Sequence, residues 1–171
     1  LQLRRITLDM IGTDDDAASI DYAAKWTFFN PRAGFNFNLG EGHRLYLSAA
    51  FANREPGRSD IKENVKGTLN PIEPEKMLDL EAGWQYASER CSASANLYMM
   101  EYSDMLLETG RLNTSGYAIK ENVPRGWRRG IEFATSWLPT DLLRIDANAS
   151  FSVNRLKNFT AYVDQFDHDW I

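Results

Sequence analysis

Ionisable residues that could catalyse a reaction form one candidate pair in this sequence of 171 residues, Glu81 and Glu132. Both glutamates lie in stretches where polar and apolar residues alternate, at positions that would face the same side of a sheet. Paired carboxylates are the groups that general acid–base catalysis uses. Arg144 and Asp146 share that side, however, so ordinary ion pairs explain the glutamates more simply. The sequence predicts no catalytic residue and no enzyme.

A second set of charged residues could bind a ligand, because it lies where an alternating stretch gives way to a loop. The set consists of Arg54, Glu55, Arg58 and Asp60. Charged side chains grouped at such a rim can attract an anionic ligand. Ordinary solvation of a charged loop is the alternative. These four residues are therefore predicted as a candidate ligand-binding rim.

Metal and redox chemistry have little support in the sequence. The acidic run Asp14–Asp16, with Asp21 nearby, could attract calcium, but it lacks the glycine and glutamate of an EF-hand loop, so a solvated loop is the favoured interpretation. Cys91 is the single cysteine, which excludes an internal disulfide and a cysteine zinc cluster. His43 lies in a tight turn and is predicted to be exposed. We predict no metal site and no cofactor.

Composition excludes several classes of protein. The chain has 19 Lys and Arg against 24 Asp and Glu, a net charge of −5, which makes a nucleic-acid partner unexpected. Its hydrophobic content of 43% is that of a folded protein. No stretch approaches the ~18 consecutive apolar residues that a transmembrane helix needs. A transmembrane β-barrel passes this test, because its strands carry a polar residue at every second position.

Strict alternation of polar and apolar residues is the dominant pattern, and its best example runs from Leu143 to Asn154. Such a period of two predicts strands with two different faces. About seven long strands are predicted, over residues 1–10, 25–39, 44–53, 77–87, 91–102, 117–137 and 142–155. Short connections alternate with long ones, and the long ones are predicted at 11–24, 54–76, 103–116 and from 157 onward. The sequence therefore predicts an all-β, antiparallel up-and-down meander whose two ends differ.

The length of the strands and the placement of the aromatic residues favour lipid as the solvent of the apolar face. Predicted strands of 10 to 20 residues exceed the usual 5 to 6. Trp127 and Trp137 share one face, and the ten residues between them would rise about 23 Å in a tilted strand, close to the ~25 Å apolar band of a barrel. The predicted membrane-interface aromatics are Trp26, Trp84, Tyr86, Trp127 and Trp137. A soluble sandwich, with the polar face in water, is the alternative.

Several segments, in this order and spacing, resemble the β-barrel portion of the TonB-dependent outer-membrane receptors, and most closely those of the Bacteroidetes type. They are Phe29–Gly34, Tyr46–Pro56, Pro74–Lys76, Leu80–Trp84, Leu97–Asp104, Asn122–Pro124, Arg129–Glu132, Leu138–Thr140 and Leu143–Asp146. The resemblance implies a 22-stranded transmembrane barrel in the bacterial outer membrane, with a plug domain inside it. It also implies energy delivered by TonB and uptake of a scarce ligand: a ferric siderophore, haem, cobalamin or a glycan.

From the resemblance we expect residues 1–171 to be a fragment of the barrel domain, without the plug domain, the TonB box or the C-terminal strand. Its partners would be outer-membrane lipid, the plug domain of the same full-length chain, TonB through the missing part, and the small ligand. Two alternatives stay open at this point. One is a soluble all-β carbohydrate-recognition module, and the other is a smaller outer-membrane porin or barrel enzyme.

Overall fold

The computed structural model describes residues 1–13, 17, 19–66, 71–112 and 116–163. These residues form eight strands and one helix. In chain order they are β1 (Gln2–Thr13), β2 (Ser19–Asn30), β3 (Arg32–Gly40), β4 (His43–Arg54), α1 (Arg58–Lys66), β5 (Glu75–Ala87), β6 (Cys91–Leu112), β7 (Ala118–Thr140) and β8 (Leu143–Lys157).

The strands form an antiparallel meander, as the sequence predicts. Strands β3 to β8 make one sheet of six strands in chain order, and each pairs antiparallel with the next. Strands β1 and β2 make a separate sheet of two strands. Because every neighbour in the sheet is also a neighbour in sequence, short hairpins suffice to connect the strands at one end.

The single strand predicted over residues 25–39 is two strands, which corrects the count from seven to eight. β2 pairs with β1, whereas β3 pairs with β4, and Pro31 separates them. Pro31 has no N–H to donate, but its carbonyl oxygen accepts a hydrogen bond from the Phe51 backbone N–H at 2.9 Å. The apolar positions change from even numbers at Trp26 and Phe28 to odd numbers at Ala33 and Phe35, and the prediction of a single strand overlooked this change of phase.

Two predicted loops are wrong in large part, because the hairpins extend well into them. β1 and β2 cover most of residues 11–24, and β6, which is 22 residues long, covers 103–112 of the predicted loop at 103–116. The polar residues of these segments are typical of loops, but the hydrogen bonds between the paired strands continue through most of them. The predicted loop at 54–76 also contains helix α1, which is too short and polar to give a periodic apolar signal.

The six-stranded sheet has two different faces. Its outer face is defined as the one that carries Leu97, Phe133 and Phe151, which are 56%, 42% and 65% exposed. Its inner face is the opposite one and carries Asn96, Glu132 and Ser150, which follow in register across β6, β7 and β8. An apolar surface of this extent, left open on one face of a sheet, marks a wall that meets another apolar phase.

Buried side chains lie toward the end of the sheet where the connections are long. The buried apolar residues of the described chain are Ile20, Phe28, Ile61, Ile72, Ile119 and Val123. They lie on β2, β7, helix α1 and the segment that follows it, so the packed core belongs to the long-loop end. No helix in the described part of the chain has the length and apolar character needed to cross a membrane.

Glycines on the inner face leave room for tyrosine rings from neighbouring strands. A side chain at Gly83 would collide with the ring of Tyr46, and one at Gly130 would collide with the hydroxyl end of Tyr98. An aromatic ring that covers a strand glycine restores packing that the glycine lacks. The Tyr46 hydroxyl donates a hydrogen bond to Asn96 Oδ1 at 2.8 Å, which ties β4 to β6 across β5.

Candidate functional site

The connection between β4 and β5 is fastened to β7 by two side chains that lie two residues apart. Lys120 Nζ donates a hydrogen bond to Asp60 Oδ1 on helix α1 at 2.9 Å. The Asn122 side chain hydrogen-bonds the backbone of Glu73 as a neighbouring strand would. Its Oδ1 accepts from the Glu73 N–H at 2.7 Å, and its Nδ2 donates to the Glu73 carbonyl at 2.9 Å. The same Nδ2 also donates to the Asp104 carbonyl at 2.7 Å. We name Lys120 and Asn122, with their contacts to Asp60, Glu73 and Asp104, the β7 clasp.

Helix α1 buries one face although most of its residues are polar. Ile61 is 2% exposed and its N–H donates to the Gly57 carbonyl at 3.1 Å, while Asn64 is 7% exposed. The helix contacts β7 and β2, so it bridges strands that are not neighbours in the sheet. The connection therefore packs against β7 and β2 at the long-loop end of the wall.

Electrostatics support this bridging position of the connection. Burial raises the pKa of the Tyr22 hydroxyl, and the negative charge of Glu73 raises it further, which places this β2 residue near the segment that Asn122 holds. The pKa of the Lys120 ammonium is raised chiefly by its hydrogen bond to Asp60, against an opposing effect of burial. Lys120 lies beyond the row of Trp127 on β7, toward the long loops.

Three of the four predicted ligand-binding residues form internal ion pairs. Arg54 pairs with Glu75, Glu55 pairs with Arg4, and Asp60 pairs with Lys120. Arg58 is exposed at the start of α1, and no ion pair joins it to another described residue. The internal pairs were missed because their partners lie 21 to 60 residues away in sequence, beyond the reach of local patterns.

A cavity of about 630 Å³ lies beside this group. Its lining includes Arg4, Trp26, Arg54, Glu55 and Arg58. The Arg4 guanidinium also lies 5.5 Å from the centre of the Phe28 ring. An open, cation-rich and partly aromatic cavity of this kind can hold an anionic or aromatic small molecule.

Trp26 lines the cavity, and it lies on the same side of β2 as Phe28, which is 6% exposed. The interface role assigned to Trp26 from its aromatic type and height stays a prediction.

The other four predicted interface aromatics lie on the outer face. Trp84 and Tyr86 stack near the short turns, with ring centres 6.4 Å apart, and His43 lies 4.6 Å from Tyr86. Trp84 Nε1 donates a hydrogen bond to His43 Nδ1 at 3.2 Å, so His43 belongs to this aromatic cluster, which sequence reasoning missed. Trp137 is 51% exposed at the same end, and Trp127 lies ten residues away, toward the long loops.

The inner face carries carboxylates without a catalytic arrangement. Glu81 and Glu132 lie on β5 and β7, so strand β6, which carries Asn96, separates them. Asp79 Oδ1 is buried and has no hydrogen-bond partner among the described residues. Within those residues no group of three or more His, Cys, Asp and Glu could hold a metal ion. The acidic run at 14–16 lies outside the described residues.

An antiparallel meander with an apolar outer face, a polar inner face and short turns at one end is typical of one class of protein, the β-barrel of an outer membrane. The sequence agrees: the family model "TonB dependent receptor-like, beta-barrel" matches residues 5–169. The chain therefore belongs to the family of TonB-dependent receptors, in its barrel portion. A comparison with curated proteins gives no match.

Solved structures share this fold at low sequence identity. The copper transporter OprC matches with a TM-score of 0.70 and 22% identity over 79% of this chain. The FrpB iron transporter from Neisseria meningitidis matches with 0.64 and 18% over 90%, and the ferric-catecholate import receptor Fiu from E. coli with 0.56 and 15% over 86%. This chain spans 22% of the length of each of them. The family and these neighbours are transporters and receptors, not enzymes.

Proposed function

We propose that this chain forms part of the wall and the long-loop rim of a TonB-dependent transporter in the bacterial outer membrane. The observation that carries the proposal is the division of the wall into an apolar outer face and a polar inner face over strands long enough to cross a bilayer. The full-length protein would add a plug domain, and TonB would drive uptake through that part. Membership of the Bacteroidetes type stays a prediction.

An occupant on the inner face agrees with the chemistry of that face. Glu81 and Glu132 lie there together with Asn96 and Ser150. Polar groups that become buried are stable when they are hydrogen-bonded or paired. A plug domain of the same protein would supply such partners.

The proposed ligand is a scarce anionic complex such as a ferric siderophore. Support comes from the cavity at the long-loop end, where Arg4, Arg54 and Arg58 line one side. Arg58 lacks an internal ion pair among the described residues, so its charge remains available to an anionic ligand. The similar structures named for copper, iron and ferric-catecholate transport agree with a metal complex, and haem, cobalamin and glycans are the other candidates.

Uptake by the full-length receptor tests this proposal. Cells that carry the receptor as their single route for a radiolabelled ferric siderophore should accumulate it, and deletion of TonB should abolish accumulation. Arg58→Gln should weaken binding, whereas Arg90→Gln, a matched change at the short-turn end, should not. Solute entry that persists without TonB would instead support a passive porin, and equal effects of the two variants would remove Arg58 from the site.

A further inference from the structure

Cationic side chains surround one tryptophan on the outer face, where the apolar band of the wall ends. They are Arg125, Arg129, Arg155 and Lys157, and with Trp127 we name them the basic patch. In the register of the sheet, Arg125 pairs with Lys157 and Trp127 pairs with Arg155. The patch is therefore a compact block across two adjacent strands.

The position of the patch follows from the residues below it. Arg129 pairs with Val153, and the next outer-face row toward the short turns pairs Ile131 with Phe151. Val153 and Phe151 are 54% and 65% exposed, so they belong to the apolar surface. The patch thus begins where that surface ends, at the height of the interfacial Trp127.

Contacts within the patch hold the guanidinium groups in place but leave them accessible. Arg129 Nη2 lies 2.6 Å from Glu101 Oε1, and Arg125 Nε lies 4.0 Å from Glu101 Oε2. The guanidinium carbon of Arg129 is 4.6 Å from the centre of the Trp127 ring, and that of Arg155 is 5.9 Å away. The side chains of Arg125 and Arg129 are still 65% and 51% exposed.

Among the described residues, the charges of the patch are not balanced by its neighbours. Glu101 is the one carboxylate there that forms an ion pair with the patch, which has four cationic side chains. Cations beside a lipid phase lose part of their hydration, and an anion in contact with them offsets that loss. The planar fork of arginine matches the oxygen atoms of a phosphate group.

We propose that the basic patch binds the phosphate of an anionic lipid headgroup in the leaflet on the long-loop side. This inference rests on the proposed placement of the wall in the outer membrane. Continuity with the apolar surface favours a lipid over free phosphate, because acyl chains can cover Phe151 and Val153 while the headgroup reaches the arginines. Trp127 packs against the guanidinium groups and fixes their height at the interface.

Lipid binding to the full-length receptor in neutral detergent tests the proposal. Native mass spectrometry would measure the retention of phosphatidylglycerol and of diphosphorylated lipid A, with phosphatidylcholine as the uncharged reference. We expect both anionic lipids to bind more tightly than phosphatidylcholine. The triple variant Arg125→Gln, Arg129→Gln, Arg155→Gln should lose at least about tenfold in affinity, since it removes three of the four cations that attract the phosphate.

Arg128→Gln is the matched control. Arg128 lies between Trp127 and Arg129 on the same strand but on the inner face, where its Nε donates to Asn154 Oδ1 at 2.9 Å. Lipid affinity should be unchanged in this variant. Equal losses in the control and the triple variant, no preference over phosphatidylcholine, or displacement of the lipid by millimolar inorganic phosphate would each overturn the proposal.

Siderophore uptake by the same variants separates this inference from the proposed function. If the proposed lipid binding is wrong and the transporter assignment is right, the wild-type receptor still shows TonB-dependent uptake. It then retains the anionic lipids no better than phosphatidylcholine. If the transporter assignment fails, uptake is absent whatever the lipid result.

Discussion

At the scale of single residues, the β7 clasp determines where the β4–β5 connection lies. Lys120 and Asn122 supply one ion pair and three hydrogen bonds, and all but one of these reach segments far away in sequence. Asn122 satisfies both the N–H and the carbonyl of Glu73, which an aliphatic residue could not do. These two side chains therefore act as the attachment points of a loop that would otherwise depend on a short polar helix.

The clasp leads to a prediction about the stability of helix α1. Lys120→Met and Asp60→Asn should each weaken protection of the α1 amides against hydrogen exchange in the full-length receptor. Their coupling energy should be about 0.5–1 kcal/mol, because the pair is partly exposed. A double-mutant cycle measures that coupling, and additive effects of the two changes would contradict the ion pair.

The same ion pair predicts a pH dependence. The folded state raises the pKa of Lys120 above its ordinary value of 10.5. Its stabilising contribution is therefore complete below about pH 10.5 and is lost as the pH rises through the raised pKa. A spin label on Ser59→Cys, in a Cys91→Ser background, should gain mobility across that range, and Lys120→Met should remove this transition.

The contact between Gly83 and the Tyr46 ring on the inner face leads to a prediction about the stability of the barrel. Gly83→Ala should destabilise the barrel by about 1–3 kcal/mol, because the added methyl group displaces the Tyr46 ring and its hydrogen bond to Asn96. Urea unfolding of the full-length receptor in lipid vesicles measures the change. Gly34→Ala is the control, since its methyl group would meet only the Leu47 carbonyl oxygen at 3.3 Å and ordinary contacts beyond it. Equal losses in the two variants would contradict this account.

At the scale of elements, strand β8 is the simplest test of the two faces of the wall. Its residues Leu143–Asn154 alternate in polarity, and the strand pairs with β7 in constant register from Trp137 to Arg125. A membrane would shield one set of side chains and leave the other in the aqueous interior. Neighbouring residues of β8 are therefore expected to differ in their accessibility to a water-soluble reagent.

Cysteine labelling checks this alternation. In a Cys91→Ser background, cysteines at Ser150 and Ser152 should react with a water-soluble maleimide, whereas cysteines at Phe151 and Val153 should be protected in lipid vesicles. Solubilisation in denaturant should make all four reactive, which controls for intrinsic reactivity. Uniform labelling of the four positions in vesicles would show that the outer face does not meet lipid.

The sequence predicts the elements whose signal is local. β4, β5 and β8 can be predicted from alternation and turn residues, because each strand has one face toward an apolar phase and the other toward a polar one. The ion pairs of Arg54, Glu55 and Asp60 could not be predicted. Each of these depends on which distant segment lies beside the residue, and a period of two carries no information about that.

At the scale of the whole molecule, the described residues form an open piece of wall. In these residues β8 pairs with β7 alone, and β3 pairs with β4 alone, so the outer edge of each strand carries unpaired backbone groups. An open edge and an exposed apolar face both favour association with another chain. In a closed barrel, neighbouring strands and lipid would satisfy them.

Isolated residues 1–171 should therefore self-associate without detergent. Light scattering should report oligomers or aggregates in plain buffer and smaller, mixed-micelle species in detergent. Lys substitutions at Phe151 and Val153, which reduce the apolar surface, should lower the association in buffer relative to Lys at Ser150 and Ser152. A clean monomer in plain buffer would contradict an excised wall and favour the soluble sandwich.

The constant register between β6 and β7 restricts how such a gene can lengthen or shorten over evolution. Cys91 to Met105 pair with Trp137 to Val123 in step. One inserted or deleted codon within this stretch would turn every later side chain to the wrong solvent, whereas two would restore the pattern. Length changes in the wall should therefore accumulate in pairs of residues, while the connection between β4 and β5 can vary by any number as long as it still reaches Lys120 and Asn122.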